Sequence, residues 1–350
     1  MRQSFRTYCI AQIKAFKREV YYVKDVKVDK GDLLGDLCKF AAVYYLPSVP
    51  AVYYGRYQYW RCKRIKITEK GVYNMKPSIS SAYFKMLNPY EMAETFVECG
   101  YWQTEINEEH FKSFYKELDV REYRRFIDDL GFSIPQGHLV FMNEGNITSI
   151  DNTYAIDNLK RNLDVFHELG VKAAVIHYSN FGTDWVPWEE WFEIRVDALN
   201  QLTEYIKGTD MVICLENLSR LYDFDAGHLL KLCKAVNNEN VGICLDTGHL
   251  HISKRGNQYD FIMQAGKCLK AMHVHENYGE HDGLIGVTCD LHLPPFSGGT
   301  VYFEDVKRGL KELNYQGLFS YELGNHNVPL EIKKLQAKYL LEIYNTYFAF

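Results

Sequence analysis

The sequence predicts an α/β protein: a (β/α)8 TIM barrel in a single domain, preceded by an atypical N-terminal segment. Three observations lead to this fold class. Short apolar runs recur about every 30 to 40 residues from residue 76 onward, the length of one strand–helix unit. Stretches of helical period lie between the runs. Acidic residues and histidines follow the runs one or two at a time, which suits a barrel because its parallel strands end at one common mouth.

Eight runs are candidate strands, at residues 76–80, 102–106, 132–138, 172–177, 211–217, 241–246, 271–275 and 319–323. Helical periods cover 154–169, 188–206, 225–236 and 303–313. Gly131, Gly170 and Gly208 stand where glycines commonly end helices. A doubly wound open sheet is the rival fold, but no glycine-rich phosphate loop follows the first strand. The barrel is therefore the preferred architecture.

Residues 1–74 differ from the rest of the chain. They contain 15 Lys and Arg against 6 Asp and Glu, which leaves 25 basic and 39 acidic residues in 75–350, a balance of −14. They show no clean helical or strand period. Codons for Lys70, Gly71 and Val72 can contain a bacterial ribosome-binding sequence just ahead of Met75, so we hypothesise that 1–74 is a mistranslated leader. The alternative is a genuine basic extension that docks a partner.

Composition limits the class of protein. Nine cysteines occur without CxxC pairs or regular spacing, which favours buried free thiols and a reducing, cytoplasmic environment over a disulfide framework. The first 18 residues contain five basic side chains and no secretory apolar core. The longest early uncharged run, 40–54, is too short and too interrupted by proline to span a bilayer. We expect a cytoplasmic protein without a membrane partner; a homo-oligomer is compatible with the sequence.

Nine side chains of metal-binding type follow the apolar runs: His138, His177, Glu216, Asp246, His249, His273, Asp290, His292 and Glu322. Divalent-metal hydrolases and isomerases need imidazoles and carboxylates that converge on one point. A carboxylate at the end of an apolar strand is costly unless it is paired or bound to a metal. The pattern therefore predicts a metalloenzyme.

Two positions are ambiguous in the sequence. Gln136 competes with His138 as the polar residue that ends the third strand. Of His273 and His275, we expect only His273 to point into the barrel, with His275 in a loop or behind the ligands.

The segments that carry these residues resemble the xylose isomerase-like TIM barrel superfamily over 75–350. The matching segments are Gln136-Gly-His138, Val175-Ile-His177, Cys214-Leu-Glu216-Asn, Cys244-Leu-Asp246-Thr-Gly-His249, Met272-His273-Val-His-Glu-Asn, Asp290-Leu-His292-Leu-Pro-Pro and Tyr321-Glu322-Leu. This group includes sugar and sugar-phosphate isomerases and epimerases, and also abasic-site nucleases of the endonuclease IV type.

The resemblance implies two alternative sets of roles. In the epimerase branch, Glu216, Asp246, His273 and Glu322 would hold one divalent ion (Mn, Mg, Co or Zn), and Glu216 and Glu322 would be the acid–base pair at the carbon that loses its proton. In the nuclease branch, a three-zinc cluster also uses residues that match the other five: His138, His177, His249, Asp290 and His292.

The sequence favours a metal-dependent sugar or sugar-phosphate isomerase or epimerase, which acts by proton transfer through a metal-stabilised enediolate. Trp185 offers a surface for stacking on a sugar ring, and Asn217 is a second candidate for substrate binding. The acidic balance of 75–350 is unfavourable for gripping a nucleic acid backbone. The alternative is an endonuclease IV-like abasic-site nuclease or another metallophosphoesterase with a multi-zinc site.

Overall fold

The computed structural model describes residues 75–149, 151–178, 188–219, 226–236, 238–253, 256–280, 286–324 and 327–350. Eight strands form one sheet. They are β1 (Lys76–Ile79), β2 (Gln103–Ile106), β3 (Ser133–His138), β4 (Ala173–Ile176), β5 (Val212–Glu216), β6 (Val241–Asp246), β7 (Leu269–Val274) and β8 (Leu318–Tyr321).

All the paired strands are parallel, and their order is β1-β8-β7-β6-β5-β4-β3-β2. The seam between β1 and β2 is joined by a parallel bridge between Ser80 and Glu105. Across the same seam, the Thr104 hydroxyl donates to the Ile79 carbonyl at 2.7 Å. The predicted fold class, a (β/α)8 barrel, is confirmed.

Helices connect the strands on the outside. They are α1 (Pro89–Glu98), α2 (Glu108–Phe111), α3 (Val120–Leu130), α4 (Thr153–Leu169), α5 (Trp188–Tyr205), α6 (Ala226–Val236), α7 (Thr247–Ser253), α8 (Gln258–Ala265), α9 (Phe303–Leu313) and α10 (Leu330–Ile343), followed by a π-helical turn at Tyr344–Phe348. Among the described residues, none of these helices is long and apolar enough to cross a membrane.

Local sequence signals explain where several helices begin and end. At the start of α1, the Asn88 side chain accepts from the amides of Tyr90 and Glu91, and the Glu91 carboxylate accepts from the amide of Asn88. Helices α3 and α4 end at Gly131 and Gly170, whose φ values of 74° and 82° are left-handed.

The barrel has two apolar regions of different character. Between strands and helices lies a large core rich in aromatic and branched side chains. Inside the barrel, a separate cluster consists of small side chains: Ala173, Val175, Cys214, Cys244 and Ala271. The side chains that follow this cluster toward the C-terminal end of the strands are polar, among them Glu216, Asp246 and His273.

Candidate metal centre

The nine predicted side chains meet at the C-terminal mouth of the barrel. The strand ends supply His138, Glu216, Asp246 and His273, and the residues just after strands supply His177 and Glu322. His249 lies in α7, directly after β6, and Asp290 and His292 come from the loop that follows β7. Strand register explains part of this convergence, because Asp246 pairs with His273 on the neighbouring strand.

Glu216 is the centre of the arrangement. Its Oε2 lies 3.3 Å from His138 Nε2 and 3.1 Å from His177 Nε2. Its Oε1 lies 3.3 Å from His249 Nδ1 and 3.2 Å from His273 Nδ1. One buried carboxylate therefore faces four imidazoles, two with each oxygen, which suits a ligand shared between two ions.

A second group of side chains consists of carboxylates around His273. Its Nδ1 lies 3.1 Å from Glu322 Oε2 and 3.9 Å from Asp246 Oδ2. Together with Glu216, these residues place one donor atom each within 4.8 Å of one another. This is the four-residue set that the epimerase resemblance implies.

A third group is built around Asp290. Its Oδ2 lies 3.0 Å from His249 Nε2 and 3.2 Å from His292 Nε2. The other carboxylate oxygen, Oδ1, is buried and has no hydrogen-bond partner among the described residues. His292 has a left-handed φ of 47°, an uncommon conformation for a residue with a side chain. The loop thus holds a strained backbone where His292 reaches the site.

His275 corrects a prediction. We expected only His273 to point into the barrel, with His275 in a loop or behind the ligands. Side chains two residues apart on a strand share a face, however, and both histidines point into the site. Its Nε2 lies 2.9 Å from Asp246 Oδ1 and 3.8 Å from Asp290 Oδ1. The ring packs on Gly248, where a Cβ atom would be 1.9 Å from its Cε1. Gly248 is therefore needed to admit His275.

The donor set fits divalent metal ions. Three further combinations also place one donor atom per residue within 4.8 Å: His249 with His275, Asp290 and His292; His138 with His177 and Glu216; and His138 with His273 and Glu322. Imidazole nitrogens and carboxylate oxygens are the ligands expected for zinc, and carboxylates also suit manganese. The unpartnered Asp290 Oδ1 is a further feature that a cation would satisfy.

Histidines and carboxylates perturb each other's pKa values strongly here. Burial alone would lower the pKa of His138, but the hydrogen bond to Glu216 raises it to about 9. Burial likewise opposes the charge on His292, yet Asp290 and Glu322 raise its pKa to about 9. Burial would raise the pKa of the Glu216 carboxyl, but the surrounding histidines hold it well below its usual range.

Burial and nearby charges also oppose each other in setting the pKa values of the other three histidines. Despite burial, nearby carboxylates raise the pKa of His249 well above the usual value, and Cys244 together with nearby carboxylates does the same for His273. The pKa of His177 is lowered, mainly by burial. In the metal-free protein the positive charge that balances the carboxylates is therefore carried by protonated histidines.

The two predicted substrate residues have different outcomes. Trp185 lies outside the described residues. Asn217 is buried, and its amide is engaged at both ends by Asp246, donating to the carbonyl at 2.9 Å and accepting from the amide at 2.7 Å. This geometry does not support the predicted substrate role for Asn217. Its side chain instead binds the backbone of Asp246 and so holds the end of β6 in place.

Gln136 no longer competes with His138. It lies further down the barrel, where it lines a cavity of about 380 Å³ at the N-terminal end of the strands. One buried residue near the site was missed: Glu105 on β2, whose Oε1 lies 2.8 Å from His273 Nε2. The only sequence signal for Glu105 is a carboxylate within a predicted strand.

This fold is a parallel barrel whose C-terminal mouth carries side chains that could hold divalent metal ions. The chain belongs to the xylose isomerase-like TIM barrel family, which matches residues 93–343. Among relatives, the uncharacterized protein MJ1311 of Methanocaldococcus jannaschii is 23% identical over 286 residues, 79% of this chain and 92% of the relative. The probable endonuclease 4 of Mycoplasma pneumoniae is 28% identical over 213 residues, 54% of this chain and 69% of that protein.

Solved structures of sugar epimerases share the fold. D-psicose 3-epimerase from Clostridium cellulolyticum H10 superposes with a TM-score of 0.66 at 18% identity, over 79% of this chain and all of that one. The IolI protein with a bound zinc atom superposes with a TM-score of 0.67 at 20% identity, again over 79% of this chain and all of that one. At these identities the likeness shows the fold alone.

Proposed function

We propose that the chain is a hydrolase of phosphate esters or diesters whose site holds more than one divalent ion. The observation that carries this proposal is the convergence of ten imidazole and carboxylate side chains, the nine predicted ones and His275, in adjoining groups, with Glu216 facing four imidazoles at 3.1–3.3 Å. One ion takes about four to six such ligands, so ten exceed what one ion uses. Carboxylates shared between ions are typical of phosphoester hydrolases.

Charge balance separates the two ion counts. Five carboxylates lie in or directly beneath the site, those of Glu105, Glu216, Asp246, Asp290 and Glu322. Two divalent ions beside neutral histidines would bring the charge of this set close to neutral. A single ion would be balanced only if three of the site's histidines stayed protonated beside it, and each of them would then be unable to bind a metal.

The exposure of the side chains shows from which side substrate can reach the bound ions. The side chains of His292 and Glu322 are 23% and 21% exposed, whereas those of Glu216, Asp246 and His273 are at most 1% exposed. The open side of the site therefore lies at His292 and Glu322. Ions bound here would supply Lewis acidity and an activated water. Glu322, whose Oε2 lies 3.1 Å from His273 Nδ1, would take up a proton from the attacking water or give one to the leaving oxygen.

The substrate is expected to be small. The balance of −14 over 75–350 opposes a long polyanion, so a phosphorylated metabolite or short phosphodiester fits better than duplex DNA. The similarity to a probable endonuclease 4 nevertheless makes abasic DNA a necessary test substrate. The basic balance of 1–74 is the feature that would favour nucleic acid, if that segment is part of the native protein.

The second candidate is a sugar or sugar-phosphate isomerase or epimerase. It is favoured by the group formed by Glu216, Asp246, His273 and Glu322, which is complete without the outer histidines, and by the epimerases among the structural neighbours. In that reaction Glu216 and Glu322 would exchange the proton on either face of the substrate carbon. Both oxygens of Glu216 already face imidazoles, which argues against a free base at this position.

The variant His292→Gln separates the two candidates, because His292 belongs to the Asp290 group and not to the Glu216–Glu322 group. Metal-loaded wild type and variant are assayed on bis(p-nitrophenyl) phosphate, phosphate monoesters, abasic DNA and ketohexoses. We expect phosphoester hydrolysis by the wild type and its loss in the variant. Ketose epimerisation that survives in the variant, without phosphoester hydrolysis in the wild type, would contradict the proposal.

A further inference from the structure

We infer that Glu105 is a positioning residue for the candidate metal centre: it fixes the ring orientation and tautomer of His273, so that Nδ1 offers its lone pair to a bound ion. Glu105 lies on β2 and has no exposed surface. Its Oε1 lies 2.8 Å from His273 Nε2. It lies at the seam between β1 and β2 and is not among the nine converging side chains.

The two ring nitrogens of His273 face different partners. Nδ1 faces the carboxylates of Glu216 and Glu322 at 3.2 and 3.1 Å, where the donor atoms converge. Nε2 faces Glu105. Glu105 is the nearest of these three carboxylates, at 2.8 Å, and it alone faces Nε2. When an ion binds among the converging donors, Nδ1 must give up its proton, and Glu105 then holds the one remaining ring proton on Nε2.

Glu105 is itself held in place from two sides. The Ser320 hydroxyl donates to its Oε2 at 2.9 Å, and its backbone forms the bridge to Ser80 that joins β1 and β2. Ser320 in turn pairs in register with His273 on β7. The carboxylate therefore has little freedom to move, and the closure of the barrel is coupled to the geometry of one metal ligand.

A buried carboxylate that served packing alone would be an expensive choice, because an apolar residue fills the same volume without the cost of desolvation. A carboxylate behind a metal-binding histidine, in contrast, increases the basicity of the ring and typically strengthens metal affinity. The inference rests on the metal-binding half of the proposed function and not on the reaction.

The test measures zinc affinity, by competition with a chromophoric chelator, in wild type, Glu105→Gln and Ser320→Ala. Glu98→Gln is the matched control, since this exposed carboxylate pairs with Lys334 far from the site. We expect Glu105→Gln to lower the affinity for the most tightly bound zinc ion about 10- to 100-fold. Ser320→Ala should lower this affinity about fivefold, as for one lost hydrogen bond. The control should match the wild type.

Melting temperatures with zinc and with chelator separate positioning from packing. A packing role would lower both temperatures equally and leave zinc affinity unchanged, whereas positioning reduces the rise in melting temperature that zinc produces. Zinc affinity of Glu105→Gln within about twofold of wild type would overturn the inference. If that variant does not fold, unchanged affinity in Ser320→Ala overturns it. Because no substrate is involved, failure of the hydrolase proposal would leave these results intact.

Discussion

The number of protons released on metal binding tests whether the outer histidines are ligands. In the metal-free protein the pKa values of His138 and His292 are raised to about 9, so both rings are mostly protonated at pH 7.5. The pKa values of His249 and His273 are also raised well above the usual value. A histidine must lose its proton before it binds a metal.

The two functions therefore predict different proton counts. Loading all three groups displaces a proton from each of the four histidines, about four per chain. Loading only the Glu216–Glu322 group displaces about one, from His273. His177 adds nothing in either case, because its pKa is lowered and it is neutral at this pH.

Isothermal titration calorimetry in buffers of different ionisation enthalpy gives this count directly. We expect about four protons per chain at pH 7.5, and at least one fewer in each of His138→Gln and His292→Gln. The exposed His167→Gln is a matched control that should leave the count unchanged. Release of about one proton per chain, unaltered by His138→Gln and His292→Gln, would refute the multi-ion assignment.

Three other predictions follow from the same contacts. Glu216→Gln should abolish turnover and remove more than one ion per chain, with an unchanged far-ultraviolet circular dichroism spectrum, because its two oxygens face different imidazoles; full activity would exclude a central role. Gly248→Ala should destabilise the fold by about 1–3 kcal/mol in urea titrations, because the new Cβ would lie 1.9 Å from His275 Cε1. The control Gly256→Ala should be nearly neutral, since the atom nearest to its new Cβ is 3.7 Å away. The raised pKa of His138 stabilises the metal-free protein below pH 6.5, and this stability is lost as the pH rises through about 9. Chelator-treated protein should therefore be less stable at pH 9.5 than at pH 6.5, by up to about 3 kcal/mol from this group. Equal stability at the two pH values would contradict the assignment.

The sequence was sufficient for the barrel because buried parallel strands are nearly continuous apolar runs. The strand at 241–246 was predicted to the residue. Strand β7 begins at Leu269, two residues before the predicted start at 271. The prediction started too late because Lys270 interrupts the apolar run; in the structure Lys270 is an exposed residue within the strand. The seven-residue helix Thr247–Ser253 was not predicted, since it is too short to show a helical period.

The candidate site was predictable as far as it depends on strand ends. The nine donors lie together because parallel strands deliver their C-terminal residues to one mouth. Glu105 could not be predicted, since its burial arises only when β2 closes against β1 and β8. The role of Asn217 was equally hidden, because it depends on the backbone of a strand 29 residues further along the chain.

The most direct test of the central claim is the metal content of the full chain, purified without added metal and measured by plasma mass spectrometry in ions per chain. The account predicts two or three ions, with one fewer in His292→Gln. A single ion per chain, retained in His292→Gln and lost in Glu322→Gln, would contradict it and favour the isomerase or epimerase function.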